Sequence, residues 1–196
     1  KAAGVKHIVK LSAFGSDIEP GIQLGRWHRE VEKHLEASGV TYTILRPNNF
    51  MENFLNYYPP AADGNIYLPW GEAACSFIAG EDIGRVAAAA LTEPGHENKA
   101  YTLTGPSAFS IAEAAKVISE VSGRAVRYVD VPEEAARKAM LDMHMPTWMV
   151  DGMMELHAID KAGYAAVVTD AVQAATGKAA LSFPAFAAKH AARWKA

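Results

Sequence analysis

Residues 5–47, VKHIVKLSAFGSDIEPGIQLGRWHREVEKHLEASGVTYTILRP, decide the fold. "VKHIVKL" alternates apolar and polar residues, the period of a strand with one face buried. "AFGSDIEPGIQLG" is rich in Gly, Pro, Ser and Asp and predicts a loop. "RWHREVEKHLEASG" predicts a helix with Trp27, Val31 and Leu35 on one apolar stripe, stopped by Gly39. "VTYTILRP" is β-branched and aromatic and ends at Pro47, which predicts a second strand. Two strands joined by a helix make a parallel pair, since a hairpin needs no crossover.

Upstream of this unit, Lys1-Ala2-Ala3 resembles the last turn of a helix, and Gly4 takes the place of its C-cap glycine. Downstream, the alternation continues. "NNFMENFLNYY" predicts a short helix, "GNIYLPWGEAACSFIAG" a strand, turn and strand, and "EDIGRVAAAALTEPG" a helix with acids in its first turn. "KAYTLTGP" and "RAVRYVDVP" are strands flanking "SIAEAAKVISEVSG", whose Ser110 and Glu113 form a capping box. A helix follows Pro132, and nearly everything from Thr147 onward reads helical. No internal repeat occurs. The expected fold is α/β with a doubly wound parallel sheet. Ligand sites in such sheets lie at the C-terminal ends of the strands, here "SAFGS" and "RPNNF".

Half of the 196 residues are apolar and 21% are charged, as in ordinary globular chains. A net charge of -3 gives no general attraction to nucleic acid or anionic membrane. Cys75 is the only cysteine, which excludes an internal disulfide and suits a reducing, cytoplasmic setting; a buried, inert thiol is expected there. No apolar run approaches the roughly 20 residues of a membrane helix.

Several groups could carry chemistry. His28 and Glu32 lie four apart on the first helix and share a face, where a carboxylate could orient an imidazole and favour its charged form. The same spacing suits a solvated face with Arg26, Arg29, Glu30 and Lys33. Asn48 and Asn49 could offer amides to a ligand or simply turn the chain; Phe50 and Phe54 could pack or line a site. Asp82 suits the acidic N-terminus of a helix. "MHMPTWMVDGMMELH" suggests an adaptable apolar surface, either core or the wall of a substrate pocket. The histidines lack metal-ligand spacing, so no metal is expected. No Gly-rich turn follows the first strand, as a pyrophosphate-gripping sheet would require.

Taken in order, "AGVKHIVKLSA", "WHREVEKHLEASGVTYTILRPNNFMENF", "FIAGEDIGRVAAAAL", "AYTLTGP" and "VSGRAVRYVDV" resemble the NmrA-like branch of atypical short-chain dehydrogenases. That branch contains NAD(P)H:quinone oxidoreductases, a triphenylmethane dye reductase and cofactor-sensing regulators. The resemblance implies that "AGVKHIV" is the fifth strand of a Rossmann sheet, with strands one to four and their glycine motif upstream. Residues 1–100 would then be the C-terminal half of an NAD(P)-binding domain, and 101–196 a smaller, mainly helical α/β substrate lobe. By itself such a fragment is expected to be inactive, to bind dinucleotide weakly and to associate through its open edge strand.

Standard short-chain dehydrogenases carry Tyr-x-x-x-Lys on this helix, and the matching positions here are His28 and Glu32. The resemblance makes them the catalytic pair, with His28 as proton donor or substrate contact. It places Ser12, Ala13, Phe14, Pro47, Asn48 and Phe50 beside the nicotinamide of NADP or NAD, NADP being favoured. It places Phe54, Trp148 and Met149 against the substrate. The implied activity is hydride transfer from NAD(P)H to a small conjugated acceptor such as a quinone. The alternative is a non-catalytic, NAD(P)-binding redox sensor. A small-molecule acceptor and a homodimer are the partners expected.

Overall fold

The computed structural model describes residues 2–195. Strand β1 (His7–Leu11) leads to helix α1 (Gln23–Ala37), strand β2 (Thr41–Pro47) and the single turn α2 (Asn53–Asn56). Then come β3 (Asn65–Leu68), β4 (Ala74–Cys75), α3 (Gly80–Thr92) and β5 (Lys99–Leu103). The remainder holds β6 (Phe109–Ser110), α4 (Ile111–Ser122), β7 (Arg127–Asp130), α5 (Glu133–Asp142) and α6 (Thr147–Lys161). A 3-10 turn at Tyr164–Ala166, α7 (Ala171–Thr176), α8 (Phe183–His190) and a last 3-10 turn at Ala191–Trp194 complete it.

The main sheet has the order β1-β2-β5 and is parallel throughout, with Leu11 beside Leu45 and Pro47 beside Leu103. The last five residues of β2 are all buried, because β2 is flanked by strands and covered by helices. β1 is an edge strand among the described residues, with Ile8 and Leu11 exposed along it and Val5 exposed just before it. β3 pairs with β7 in parallel, and β4 with β6 antiparallel. The capping box forms as expected: Ser110 accepts from Glu113 N, and Glu113 accepts from Ser110 N. Ala2 and Ala3 form a turn and Gly4 has φ +76°; Lys1 lies outside the described residues.

Two apolar cores result. One lies under the parallel sheet and joins Leu45, Ile78, Ile83, Val86 and Leu103 to Val172 and Ala175 of α7. The other is larger and aromatic, gathering Met51, Phe54, Trp70 and Phe77 with Ile111, Ile118, Phe183, Phe186 and Trp194. The packing therefore does not divide at residue 100. β3 and β4 belong with the helical half, while α7 returns to the sheet.

The face of α1 also differs from expectation. Trp27 and Val31 are exposed, and the buried positions are Gly25, Glu32 and Leu35. The helix is turned so that Glu32 is buried along with Leu35 while Trp27 and Val31 of the stripe face outward; the buried arginine described below requires it.

Candidate active site

A cavity of about 400 Å³ opens at the C-terminal ends of β1 and β2. From the sheet come Ser12, Ala13 and Phe14 after β1, and Pro47, Asn48, Asn49 and Phe50 after β2. α1 contributes His28, and α6 closes the far side with Leu156, Ile159 and Asp160. Seven of the residues expected at the site thus share one cavity: Ser12, Ala13, Phe14, His28, Pro47, Asn48 and Phe50.

The loop after β1 is held by a buried ionic cluster. Glu32 is 0% exposed, and its Oε1 accepts from Ser12 Oγ at 2.5 Å, Ser16 Oγ at 2.9 Å and Arg46 Nε at 3.0 Å. Its Oε2 accepts from an Arg46 Nη at 2.8 Å and an Arg29 Nη at 2.9 Å. Arg46 also donates to Asp17 Oδ2 at 2.6 Å. Burial alone would raise the Glu32 carboxyl, but the hydrogen bonds from Arg46, Ser12 and Ser16 outweigh it and hold it at about 2. Two backbone bonds, Ser12 N to Leu45 O and Phe14 N to Pro47 O, dock the same loop on β2.

Glu32 therefore does not serve His28. Its oxygens are saturated by this cluster, and the partner of His28 Nδ1 is Lys10 Nζ at 3.0 Å. An ammonium can only donate, so Nδ1 accepts and the ring's proton sits on Nε2. Burial first, and the Lys10 charge second, push the His28 pKa down against the pull of Glu32. His28 is a neutral N–H donor, not the cation that a neighbouring carboxylate would have made.

Asn48 lines the cavity, yet its amide is already engaged. Nδ2 donates to Ser76 Oγ at 2.9 Å and Ala165 O at 2.8 Å, and Oδ1 accepts from Asn49 N. It ties the strand end to the helical half. Asn49 reaches further: its Nδ2 donates to both Asp160 oxygens, at 3.2 and 3.3 Å, and lies 3.5 Å from Cys75 Sγ. Asp160 is 2% exposed, and burial pushes it up to about 7, opposed by the Asn49 amide. Cys75 is buried; burial, then the nearby Asp160, raise its thiol pKa, which keeps it unreactive.

Three expected contacts fall elsewhere. Phe54 is fully buried among Tyr58, Phe77 and Phe183, with ring centroids 5.0–5.1 Å apart; Asn53 and Tyr57 from the same segment face the cavity instead. Trp148 is 56% exposed and meets Trp27 edge-on at 6.0 Å on the outer surface. Met149 lies beside it, at the end of α6 remote from Asp160. Asp82, read as a helix-terminal acid, is buried and accepts from Leu181 N at 2.7 Å while pairing with Arg85.

The sequence pattern does not single out Lys10 or Asp160, and Asn49, expected to offer its amide to a ligand or to turn the chain, gives it to Asp160. Asp160 had one visible signal, a carboxylate in the last turn of α6, where the helix macrodipole disfavours it. Its partner is 111 residues away in the chain.

The sequence profile of the NmrA-like family matches residues 1–180. The chain belongs to the NmrA-like family. Along its whole length this NmrA-like chain is 43% identical to an NAD(P)H azoreductase of Xenophilus azovorans, spanning 69% of that protein. Among solved structures, the NADPH-dependent quinone oxidoreductase of Escherichia coli, complexed with NADPH, superposes with a TM-score of 0.84 at 28% identity. That match covers 96% of this chain and 66% of the other. The Citrobacter triphenylmethane reductase complexed with NADP(H) gives 0.83 at 26% identity, over 97% of this chain and 66% of the other.

The cavity's donor set suits the nicotinamide end of such a cofactor. Leu11, Phe14, Pro47 and Phe50 give flat apolar walls, and His28 gives a neutral donor at the strand ends. The described residues contain no Gly-rich turn at a helix N-terminus for the pyrophosphate.

Proposed function

We propose that this protein is an NAD(P)H-dependent oxidoreductase that reduces a small conjugated acceptor such as a quinone. NADPH is favoured as the reductant, and the setting is cytoplasmic, where a buried free thiol such as Cys75 is at home. The observation carrying the reading is one cavity at the C-terminal strand ends with a neutral His28 donor on one side and the helical half on the other. It is supported by relatives that are themselves reductases.

When bound, the dinucleotide supplies the hydride. The chain's own residues do the rest. The Glu32–Arg46 cluster fixes the Ser12–Phe14 loop that the nicotinamide would rest on. Phe14, Pro47 and Phe50 exclude water from the reacting faces. His28, held by Lys10, donates its Nε2–H to an acceptor oxygen and favours the electron-rich product. Residues of the helical half, Leu156 and Ile159 first, cover the acceptor. The alternative, a sensor without turnover, gives no role to a cavity-lining His28 held by Lys10.

The test is oxidation of NADPH by the intact gene product with a quinone panel, followed by nicotinamide absorbance. Quinone-dependent turnover is expected, and His28→Ala should lower kcat about tenfold or more, the worth of one hydrogen bond to a developing charge. Cofactor binding without turnover on any acceptor would refute the enzyme reading and favour the sensor.

A further inference from the structure

Reducing a quinone consumes a hydride and also a proton, and His28 is poorly suited to supply the proton. Its ring is neutral, and giving up Nε2–H would require Lys10 to pass a proton to Nδ1 in the same step and lose its own charge. Two other groups lining the cavity carry a proton on oxygen: Tyr57, whose phenol stands 82% exposed at the mouth, and the enclosed carboxyl of Asp160. Asp160 lines it from α6, is almost wholly buried, and accepts only from the Asn49 amide. Among the described residues no lysine or arginine forms an ion pair with it.

The groups packed around it do not change that balance. Cys75 faces it from β4 and Tyr58 from beyond α2, both buried and neutral. His28 faces the same cavity from α1 and is neutral. His157, on the preceding turn of α6, accepts from Trp70 Nε1 at 2.7 Å and is kept uncharged by burial. Lys161 pairs with Glu133, and Arg137 of α5 pairs with Asp151. Tyr164, from the adjoining 3-10 turn, points to solvent. A buried carboxylate without a cation is unfavourable, so the group retains its proton near neutrality. Asn49 occupies the acceptor lone pairs and leaves the O–H for whatever the cavity holds.

We propose that Asp160 is the proton donor to the acceptor, a catalytic acid contributed by the helical half. This rests on the oxidoreductase reading. In quinone reduction the hydride brings two electrons and one hydrogen and leaves a hydroquinone monoanion. The Asp160 O–H bond breaks as an O–H bond forms on the anionic oxygen, and the carboxylate regains a proton from water at the cavity mouth. A cationic triarylmethyl dye behaves differently. Hydride addition to its central carbon neutralises the cation and completes the reduction with no proton consumed.

That contrast supplies the experiment. Turnover of a quinone and of a cationic triarylmethyl dye is measured for the intact protein and for Asp160→Asn, which keeps the size and one acceptor oxygen for Asn49. The quinone-to-dye rate ratio should fall about 100-fold, the usual worth of a general acid. In the unsubstituted protein the quinone rate should decline as pH rises through 7 while the dye rate does not follow. Without any cofactor, infrared difference spectra should show a protonated carboxyl C=O band that Asp160→Asn removes. Equal loss on both acceptors would make Asp160 structural and overturn the proposal, as would an unchanged ratio or a missing band. If the unsubstituted protein reduces neither acceptor while the band is present, the oxidoreductase reading fails and takes the catalytic role with it.

Discussion

Replacing Glu32 with Gln separates a structural role from a chemical one. The carboxylate is fully buried and accepts five hydrogen bonds, three of them from two arginines. Glutamine keeps the shape but removes the charge, leaving Arg46 buried with Asp17 as its remaining anion. Breaking a buried ion pair at one partner costs about 3–5 kcal/mol. The acid–base route agrees. A carboxyl held at about 2 in the fold, against 4.5 ordinarily, stabilises by roughly 3 kcal/mol at neutral pH. Because the folded pKa is depressed, that contribution is complete above 4.5 and is lost as pH falls toward 2. At pH 3 roughly 2 of the 3 kcal/mol are gone, since only the unfolded chain is protonated there. Urea unfolding followed by tryptophan fluorescence should show the Glu32→Gln midpoint lower by on the order of 1–2 M at pH 7. The gap to the parent protein should shrink by more than half at pH 3. Glu32→Gln protein that unfolds at the parent midpoint yet has lost turnover would refute this reasoning and return Glu32 to the chemistry.

Two further outcomes follow from the packing. His157 is held at about 4 by burial, below its ordinary 6.5, so its stabilising contribution is complete above 6.5 and is lost as pH falls through 4. The loss should reach roughly 3 kcal/mol by pH 4. His157→Gln, which still accepts from Trp70, should flatten that dependence in urea midpoints, and an unchanged slope would contradict it. At Gly105, whose N–H donates to Ser76 O, a Cβ would run into the Phe77 carbonyl oxygen. Gly105→Ala should cost about 1–3 kcal/mol and lower the calorimetric Tm by about 2–4 °C for each; an unaltered Tm would show the site can relax.

Local sequence determined most of the elements and one wall of the site. Strands, helices and the capping box follow from periodicity and from Gly and Pro placement, interactions between residues a few positions apart. Parallel strands then bring their C-terminal ends together, so Ser12 to Phe14 and Pro47 to Phe50 were legible as one site. What tertiary structure decided is which way each side chain is used. Glu32 looked like the partner of His28 because four residues on a helix share a face. Arg46, fourteen residues on, claims it because a buried guanidinium must have an anion. Lys10 then takes the imidazole, which reverses its charge preference. Phe54 and Trp148 carry no local mark of inside or outside; α2 sends one into the aromatic core, and the far end of α6 leaves the other in solvent. Asp160 meets Asn49 only because α6 folds back over the strand ends. Its environment is a property of burial, which no spacing along the chain encodes.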